Sequence, residues 1–114
     1  MSAKTITSRP DDAAKFLSAS IQAYRYALKN RDSVVKLTRE MTDAKADDPR
    51  AEFVFDEVVK LNAIDTEMNI DRRKLGWMKD LFTKTEVLTS PVDLDKFVDG
   101  SVREKALAIA GPKG

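Results

Sequence analysis

The chain has 114 residues, of which 42% are hydrophobic and 34% charged, a size and composition typical of one globular domain. It contains no cysteine and no histidine, which excludes thiol catalysis, disulfides, imidazole base chemistry and the usual zinc sites. A net charge of +1 excludes a global electrostatic attraction to nucleic acid or to an anionic membrane.

The first long helix is predicted from Pro10 to about Lys29, after a flexible lead-in over residues 1–9. Proline fits the first helical turn, and Asp11 and Asp12 lie near the positive end of the helix dipole. Apolar residues recur every three to four positions, which predicts one buried and one solvent-facing stripe. The predicted buried stripe comprises Ala13, Phe16, Leu17, Ile21, Tyr24, Ala27 and Leu28. The predicted solvent stripe comprises Lys15, Ser18, Gln22, Arg25 and Lys29.

Two shorter helices are predicted next. After a break at residues 30–32, Asp32 is expected to cap a helix from Ser33 to Met41. Its predicted buried side is Val34, Leu37, Thr38 and Met41. A polar linker over residues 42–47 leads to Asp48-Pro49, which predicts a third helix. The predicted core stripe of this helix is Ala51, Val54, Phe55, Val58 and Leu61. Asp56 and Lys60 have the spacing of an i,i+4 ion pair, and Phe53 is predicted on the opposite side.

After a connector over residues 62–69, Asp71 is expected to cap a fourth main helix that ends at about Thr83. Its predicted core face is Leu75, Met78, Leu81 and Phe82, with Trp77 at the margin. Residues 93–98 are predicted to form a short helical turn, and Ser101–Ala110 a further helix. The predicted fold class is all-α: a small irregular bundle of four main helices plus one or two short C-terminal ones. The helical domain is placed at residues 10–108, with a flexible tail at 109–114.

The segment Asp65-Thr66-Glu67-Met68-Asn69-Ile70-Asp71 has alternating oxygen ligands, as in a calcium-binding loop. Such a loop needs glycine at its sixth position and a bidentate glutamate at its twelfth. This chain has Ile70 and Gly76 at those positions. We therefore predict no metal site and interpret the segment as a polar connector.

Two carboxylate pairs are candidates for acid–base catalysis, Asp56 with Glu57 and Asp93 with Asp95. Adjacent helical residues point about 100° apart, so Asp56 and Glu57 do not converge. No local cleft is predicted that would separate their pKa values. We predict no catalytic residue, no cofactor and no enzymatic activity.

The basic triplet Arg72-Arg73-Lys74 falls in the first turn of a predicted helix, where the dipole disfavours cations. It is either a solvated face or a contact for an anion or a nucleic-acid backbone. No aromatic stacking platform flanks it, so no nucleic-acid partner is expected. Phe53 is likewise either a tolerated surface residue or a contact for protein outside this chain.

The order of segments resembles the C-terminal part of periplasmic ABC-transporter substrate-binding proteins of the nitrate, taurine, aliphatic-sulfonate and thiamine-pyrimidine-precursor type. The similarity covers most of residues 8–108. It comprises a helix from Pro10-Asp11-Asp12 to Asn30, a short helix carrying residues 34–37, the segment 69–82, and the ending 92–99. Two positions depart from the family pattern, Arg31 in place of proline and Glu86 near the place of a glycine.

The resemblance implies a two-lobed α/β parent protein that closes on a small ligand and docks on a membrane permease. It implies that most ligand contacts lie in a sheet-bearing region outside this chain, so no ligand-binding residue is assigned to these 114 residues. It also implies a periplasmic location, although residues 1–5 lack a secretory apolar region. Two alternatives stay open: a free-standing helical protein-interaction module, and a nucleic-acid-binding helical domain.

Overall fold

The computed structural model describes residues 3–113, and over that range the chain is all-α, without a β-strand. The predicted irregular bundle is therefore confirmed at the level of fold class. Its elements are α1 (Ala3–Ser8), α2 (Pro10–Lys29), α3 (Arg31–Met41), α4 (Arg50–Lys60), α5 (Arg72–Lys84), a 3-10 turn (Leu94–Lys96) and α6 (Ser101–Ala110).

The N-terminal lead-in is helical from residue 3 to residue 8, which corrects the prediction of a flexible segment. The physical reason is a tertiary contact: Ile6 packs against a buried cluster of Ala13, Ala14 and Val102. Burial of one apolar face stabilises a helix that would be too short to form alone. Residues 1 and 2 lie outside the described range.

Helix α2 has the predicted bounds, and its main packing partner is α6. The face that α2 buries differs from the predicted one. Ser18, predicted to face solvent, is buried, whereas Phe16 and Tyr24, predicted to be buried, are exposed. Small side chains at Ala14, Ser18 and Ala106 let the α2 and α6 backbones approach closely, and all three are almost fully buried.

Helix α3 begins at Arg31, so the break after α2 is Asn30 alone and Asp32 is not the cap. The buried side of α3 also differs from the predicted one: Val35 is buried, whereas Leu37 and Met41 are exposed. The reason is the way α3 meets α4. Arg31 and Arg39 lie four residues before and after Val35, on the same side of α3. Arg31 donates a hydrogen bond to Asp56, and Arg39 donates to the Asp48 carbonyl and to Glu52.

Helix α4 contains no buried residue, and Val54 and Leu61 of its predicted core stripe are exposed. The predicted Asp56–Lys60 ion pair is absent. Asp56 accepts two hydrogen bonds from Arg31, each 2.8 Å, and Lys60 pairs instead with Glu57 at 2.8 Å. The long-range Arg31–Asp56 pair joins two helices and displaces the weaker local pair.

Helix α5 begins at its predicted cap, since the Asp71 side chain accepts hydrogen bonds from the Arg73 and Lys74 backbone N–H groups. The helix contains no buried residue. Met78, Leu81 and Phe82, predicted as its core face, are exposed. Helix α5 belongs to none of the well-packed helix pairs, which are α2 with α6, α3 with α4, α1 with α2, and α2 with α3.

The C-terminal elements match their predicted positions. Asp93 caps the 3-10 turn by accepting from the Asp95 N–H, and α6 spans Ser101–Ala110. Gly111 ends α6 with a φ of 71°, a left-handed conformation that favours glycine. The helix thus continues into the predicted flexible tail. Gly114 lies outside the described range.

The molecule is open for its length. Its radius of gyration is 17.9 Å, whereas a compact domain of this size has about 13 Å. Its accessible surface is 8932 Å², whereas a folded monomer of this mass exposes about 6,300 Å². Roughly 2,600 Å² of additional surface is therefore left uncovered.

Candidate functional site

Two arginines from the α2–α6 pair hold the connector between α4 and α5. Arg103 donates from Nε to the Glu67 carbonyl over 2.8 Å and from Nη2 to the Asn69 side chain. Arg25 lies 3.9 Å from the Glu67 carboxylate, and its Nη1 donates to the Gly111 carbonyl over 2.8 Å. Each guanidinium thus ties one loop to the central helix pair.

This polar cluster is only partly satisfied. Arg25 Nε and Thr66 Oγ1 are buried and have no hydrogen-bond partner among the described residues. A buried polar atom without a partner lowers stability. The contacts that the cluster does make, from Arg103 and Arg25, hold the connector against α2 and α6.

The segment that resembles a calcium loop uses its oxygens internally. Asp65 accepts hydrogen bonds from the Glu67 N–H and from both the backbone and side-chain nitrogens of Asn69. These bonds hold the pKa of Asp65 below its ordinary value, and the bond from the Glu67 N–H has the largest effect. In the described part of the chain, no group of three acidic side chains is arranged to hold a metal ion.

The two candidate carboxylate pairs are engaged in local and interhelical contacts. Asp56 pairs with Arg31, whose hydrogen bonds lower the pKa of Asp56 and raise that of Arg31. Asp93 caps the 3-10 turn, and Asp95 pairs with Arg72. All four carboxylates are at least partly exposed, so neither pair is enclosed.

The three residues of the basic triplet at the start of α5 have different contacts. Arg72 pairs with Asp95 of the 3-10 turn, while Arg73 and Lys74 are exposed and have no ion-pair partner among residues 3–113. Sequence spacing identified the triplet but not the Asp95 partner. That partner lies 23 residues away and reaches Arg72 only through the chain reversal after α5.

The largest unassigned feature is exposed apolar surface. The chain has five phenylalanines, two tyrosines and one tryptophan, and none of them is buried. Phe55 alone is half-buried, while Phe53 and Trp77 are both 66% exposed. Monomeric proteins rarely leave so much aromatic surface in water unless it meets another molecule.

No known protein family, curated protein or solved structure matches this chain. Among the described residues, no helix has both the length and the apolar character that crossing a bilayer requires.

Sequence reasoning predicted α6 only as a further helix and did not identify it as the principal partner of α2. A signal was available in Val102, Ala106 and Ala110, which recur every four positions with small side chains. Arg25 was also missed, because an arginine on an otherwise polar stripe is normally solvated. The Arg25 side chain is only 12% exposed because it lies against the C-terminus of α6, a position that the sequence does not reveal.

Proposed function

We propose that this chain is the C-terminal helical scaffold segment of a solute-binding protein for ABC-type uptake, without enzymatic activity. The observation that carries the proposal is the roughly 2,600 Å² of surface beyond what a folded monomer of this mass exposes. In a two-lobed parent protein, that surface would pack against the sheet-bearing lobes. The segments that resemble the family include much of it, notably Trp77, Phe82 and Phe97.

In this proposal the chain contributes shape and rigidity. The α2–α6 pair with its two arginine contacts forms a fixed unit, and the exposed faces of α4 and α5 attach that unit to the lobes. Ligand binding favours the closed arrangement of the lobes by differential affinity, and the closed form docks on the permease. No residue of this chain is proposed to contact the ligand, so the isolated chain should capture no solute tightly.

The mass and location of the native polypeptide test this proposal. An antibody against residues 72–84, used on fractions of the native host, should detect a periplasmic polypeptide of roughly 300 residues, as two lobes require. Detection of only a 12.8 kDa cytoplasmic species would contradict the proposal.

The same surface also favours a second candidate, a free-standing helical interaction module. Its specific support is the adjacent pair Phe53 and Val54, both exposed on α4, whose main packing partner is α3. A 12.8 kDa species would favour this candidate over a scaffold segment.

A further inference from the structure

The peptide bond between Asp48 and Pro49 lies in the linker between α3 and α4, and it is the one Asp–Pro bond in the sequence. Asp–Pro bonds are more labile than other peptide bonds for two chemical reasons. The aspartate carboxylate can attack the carbonyl carbon of its own residue. The proline nitrogen, which is more basic than the nitrogen of an ordinary peptide bond, leaves more readily. The groups around this bond therefore bear on its reactivity.

The carbonyl oxygen of Asp48 accepts two hydrogen bonds from a single guanidinium group. Arg39 of α3 donates to this oxygen from Nε over 3.0 Å and from Nη2 over 2.7 Å. The Arg39 Nη2 also donates to Glu52 over 2.9 Å, which fixes the orientation of the guanidinium, and the Arg39 side chain is only 18% exposed. A two-donor cation that is largely withdrawn from water stabilises the negative charge that develops on a carbonyl oxygen when its carbon is attacked.

The carboxylate of Asp48 is held beside the same peptide bond. Its Oδ1 accepts from the Arg50 N–H over 2.9 Å, which closes a turn that contains the Asp48 carbonyl carbon and the Pro49 nitrogen. Hydrogen bonds from the Arg50 side chain lower the pKa of Asp48 to about 2, so the carboxylate stays ionised in mild acid. An intramolecular nucleophile that is already restrained next to its target reacts faster than a freely rotating one.

We propose that the folded chain cleaves its own backbone between Asp48 and Pro49. A carboxylate oxygen of Asp48 attacks the Asp48 carbonyl carbon and closes a five-membered ring, and Arg39 stabilises the resulting oxyanion. The carbon–nitrogen bond then breaks, its electron pair stays on the Pro49 nitrogen, and that nitrogen takes a proton from solvent. A cyclic anhydride is left at Asp48.

Water completes the reaction and is its only other reactant. A groove of about 370 Å³, lined by Asp43, Asp48 and Arg50 among others, gives solvent access to this site. Addition of one water molecule to the anhydride leaves two carboxyl groups on Asp48, and Pro49 becomes a free secondary amine. No oxidant, reductant or cofactor is consumed.

The two products are expected to stay together as one folded unit. Helix α2 remains with residues 1–48 and α6 with residues 49–114, and these two helices form the main packing pair of the molecule. The inference goes beyond the proposed function and is compatible with it, because a single event on the chain's own backbone turns over no external substrate.

Intact-mass spectrometry of the purified, full chain tests the proposal after incubation at about pH 5, where the aspartate contacts still stabilise the fold. The expected products are residues 1–48 and 49–114, whose masses add up to that of the chain plus one water. They should separate in denaturant and co-elute in native size-exclusion chromatography. Added hydroxylamine should trap the anhydride as a hydroxamate at Asp48, which a contaminating protease would not produce.

Variants assign the roles of the two side chains. Asp48→Asn should not cleave, because an amide is a poor nucleophile. Arg39→Met should cleave about a hundredfold more slowly, the loss typical of removing an oxyanion donor. Arg31→Met is the matched control and should cleave at the rate of the unsubstituted chain, because it removes the other arginine contact between α3 and α4, that with Asp56, and leaves the Asp48 carbonyl contacts in place.

Circular dichroism of each variant checks that the fold is retained. If Arg39→Met is not helical, Arg39→Lys takes its place and should also cleave more slowly, because an ammonium group lacks the two-donor fork. Equal rates in the unsubstituted chain and in the Arg39 variant would overturn the proposal. So would a rate no higher in the folded chain than in urea at the same pH, an intact bond after several weeks, or cleavage without hydroxamate formation. None of these outcomes bears on the scaffold role, which the mass and location of the native polypeptide test separately.

Discussion

At the scale of single residues, Arg25 stabilises the end of α6. Its Nη1 lies 2.8 Å from the Gly111 carbonyl oxygen and also reaches the carbonyls of Ala110 and Pro112. A cation at a helix C-terminus is favoured by the dipole, and this one is largely withdrawn from solvent.

Replacing Arg25 with methionine is predicted to lower the free energy of unfolding by about 2 kcal/mol, the range for hydrogen bonds from a charged donor. The measurement is urea unfolding followed by circular dichroism. Arg73→Met, an exposed position without an ion pair among the described residues, is the matched control and should change stability by less than about 0.5 kcal/mol. Equal effects of the two substitutions would refute the role of Arg25 at the end of α6.

The acid response follows from aspartates whose pKa values are lowered in the folded state. Hydrogen bonds from Arg50 lower the pKa of Asp48 from 3.8 to about 2, and Asp56, Asp65 and Asp71 shift in the same direction. A lowered folded pKa contributes stability above the unfolded value, and that contribution is lost as the pH falls through the folded value. Stability should therefore fall between about pH 4 and pH 2.

Because the chain has no histidine, the same reasoning predicts that the free energy of unfolding changes little between about pH 5 and pH 8. Urea midpoints measured across the whole range test both parts. Asp56→Asn should flatten the acid limb, because it removes one of the shifted groups. If stability were lost mainly above pH 5, or were fully retained at pH 2, the stabilising role of these aspartate contacts would be refuted.

At the scale of elements, the α2–α6 pair is the most tightly packed part of the molecule. Ile21 is 0% exposed and is the largest fully buried side chain among the described residues. Ile21→Ala is predicted to lower the free energy of unfolding by about 3 kcal/mol, from lost burial and a residual cavity. Val59→Ala, at a position 49% exposed on α4, should lower it by less than about 1 kcal/mol. If the two substitutions lowered the free energy of unfolding equally, Val59 of α4 would be as much a part of the core as Ile21 of α2.

Helix α5 is predicted to tolerate polar substitution of its exposed apolar side chains. Leu81→Gln should lower the free energy of unfolding by less than about 1 kcal/mol, because Leu81 is 38% exposed on a helix that contains no buried residue. Leu17→Gln is the matched control and should lower it by about 2 kcal/mol, because Leu17 packs against the buried cluster. Binding of the dye anilinonaphthalene sulfonate should decrease only in the α5 variant. A large loss of stability at Leu81 would mean that this side chain is internal.

The elements themselves were predictable because their signals are local. Pro10 at the first turn and Asp71 as a cap mark helix starts, periodicity extended α2 to Lys29, and the break at residues 99–100 marked the start of α6. The buried faces were not predictable in the same way. Whether Phe16 or Ser18 is buried depends on the helix that packs there, and α6 lies more than 80 residues further along the sequence.

At the scale of the whole molecule, the core is small relative to the chain. The buried apolar residues are Ala13, Ala14, Ile21, Val35, Val102 and Ala106, of which none is larger than isoleucine. Most of the large apolar side chains that periodicity assigned to a core lie at the surface instead. Sequence periodicity finds side chains that avoid water, but it does not tell which molecule covers them. The exposure of the apolar side chains on α4 and α5 could not be predicted for that reason.

Small-angle X-ray scattering of the dilute, monomeric chain tests the openness on which the proposals depend. The predicted radius of gyration is close to 17.9 Å, with helical circular dichroism retained. A value near 13 Å would mean that α4 and α5 fold back onto the rest of the chain and cover their own apolar faces. In that case no surplus surface would be available for a partner, and the scaffold role would be contradicted.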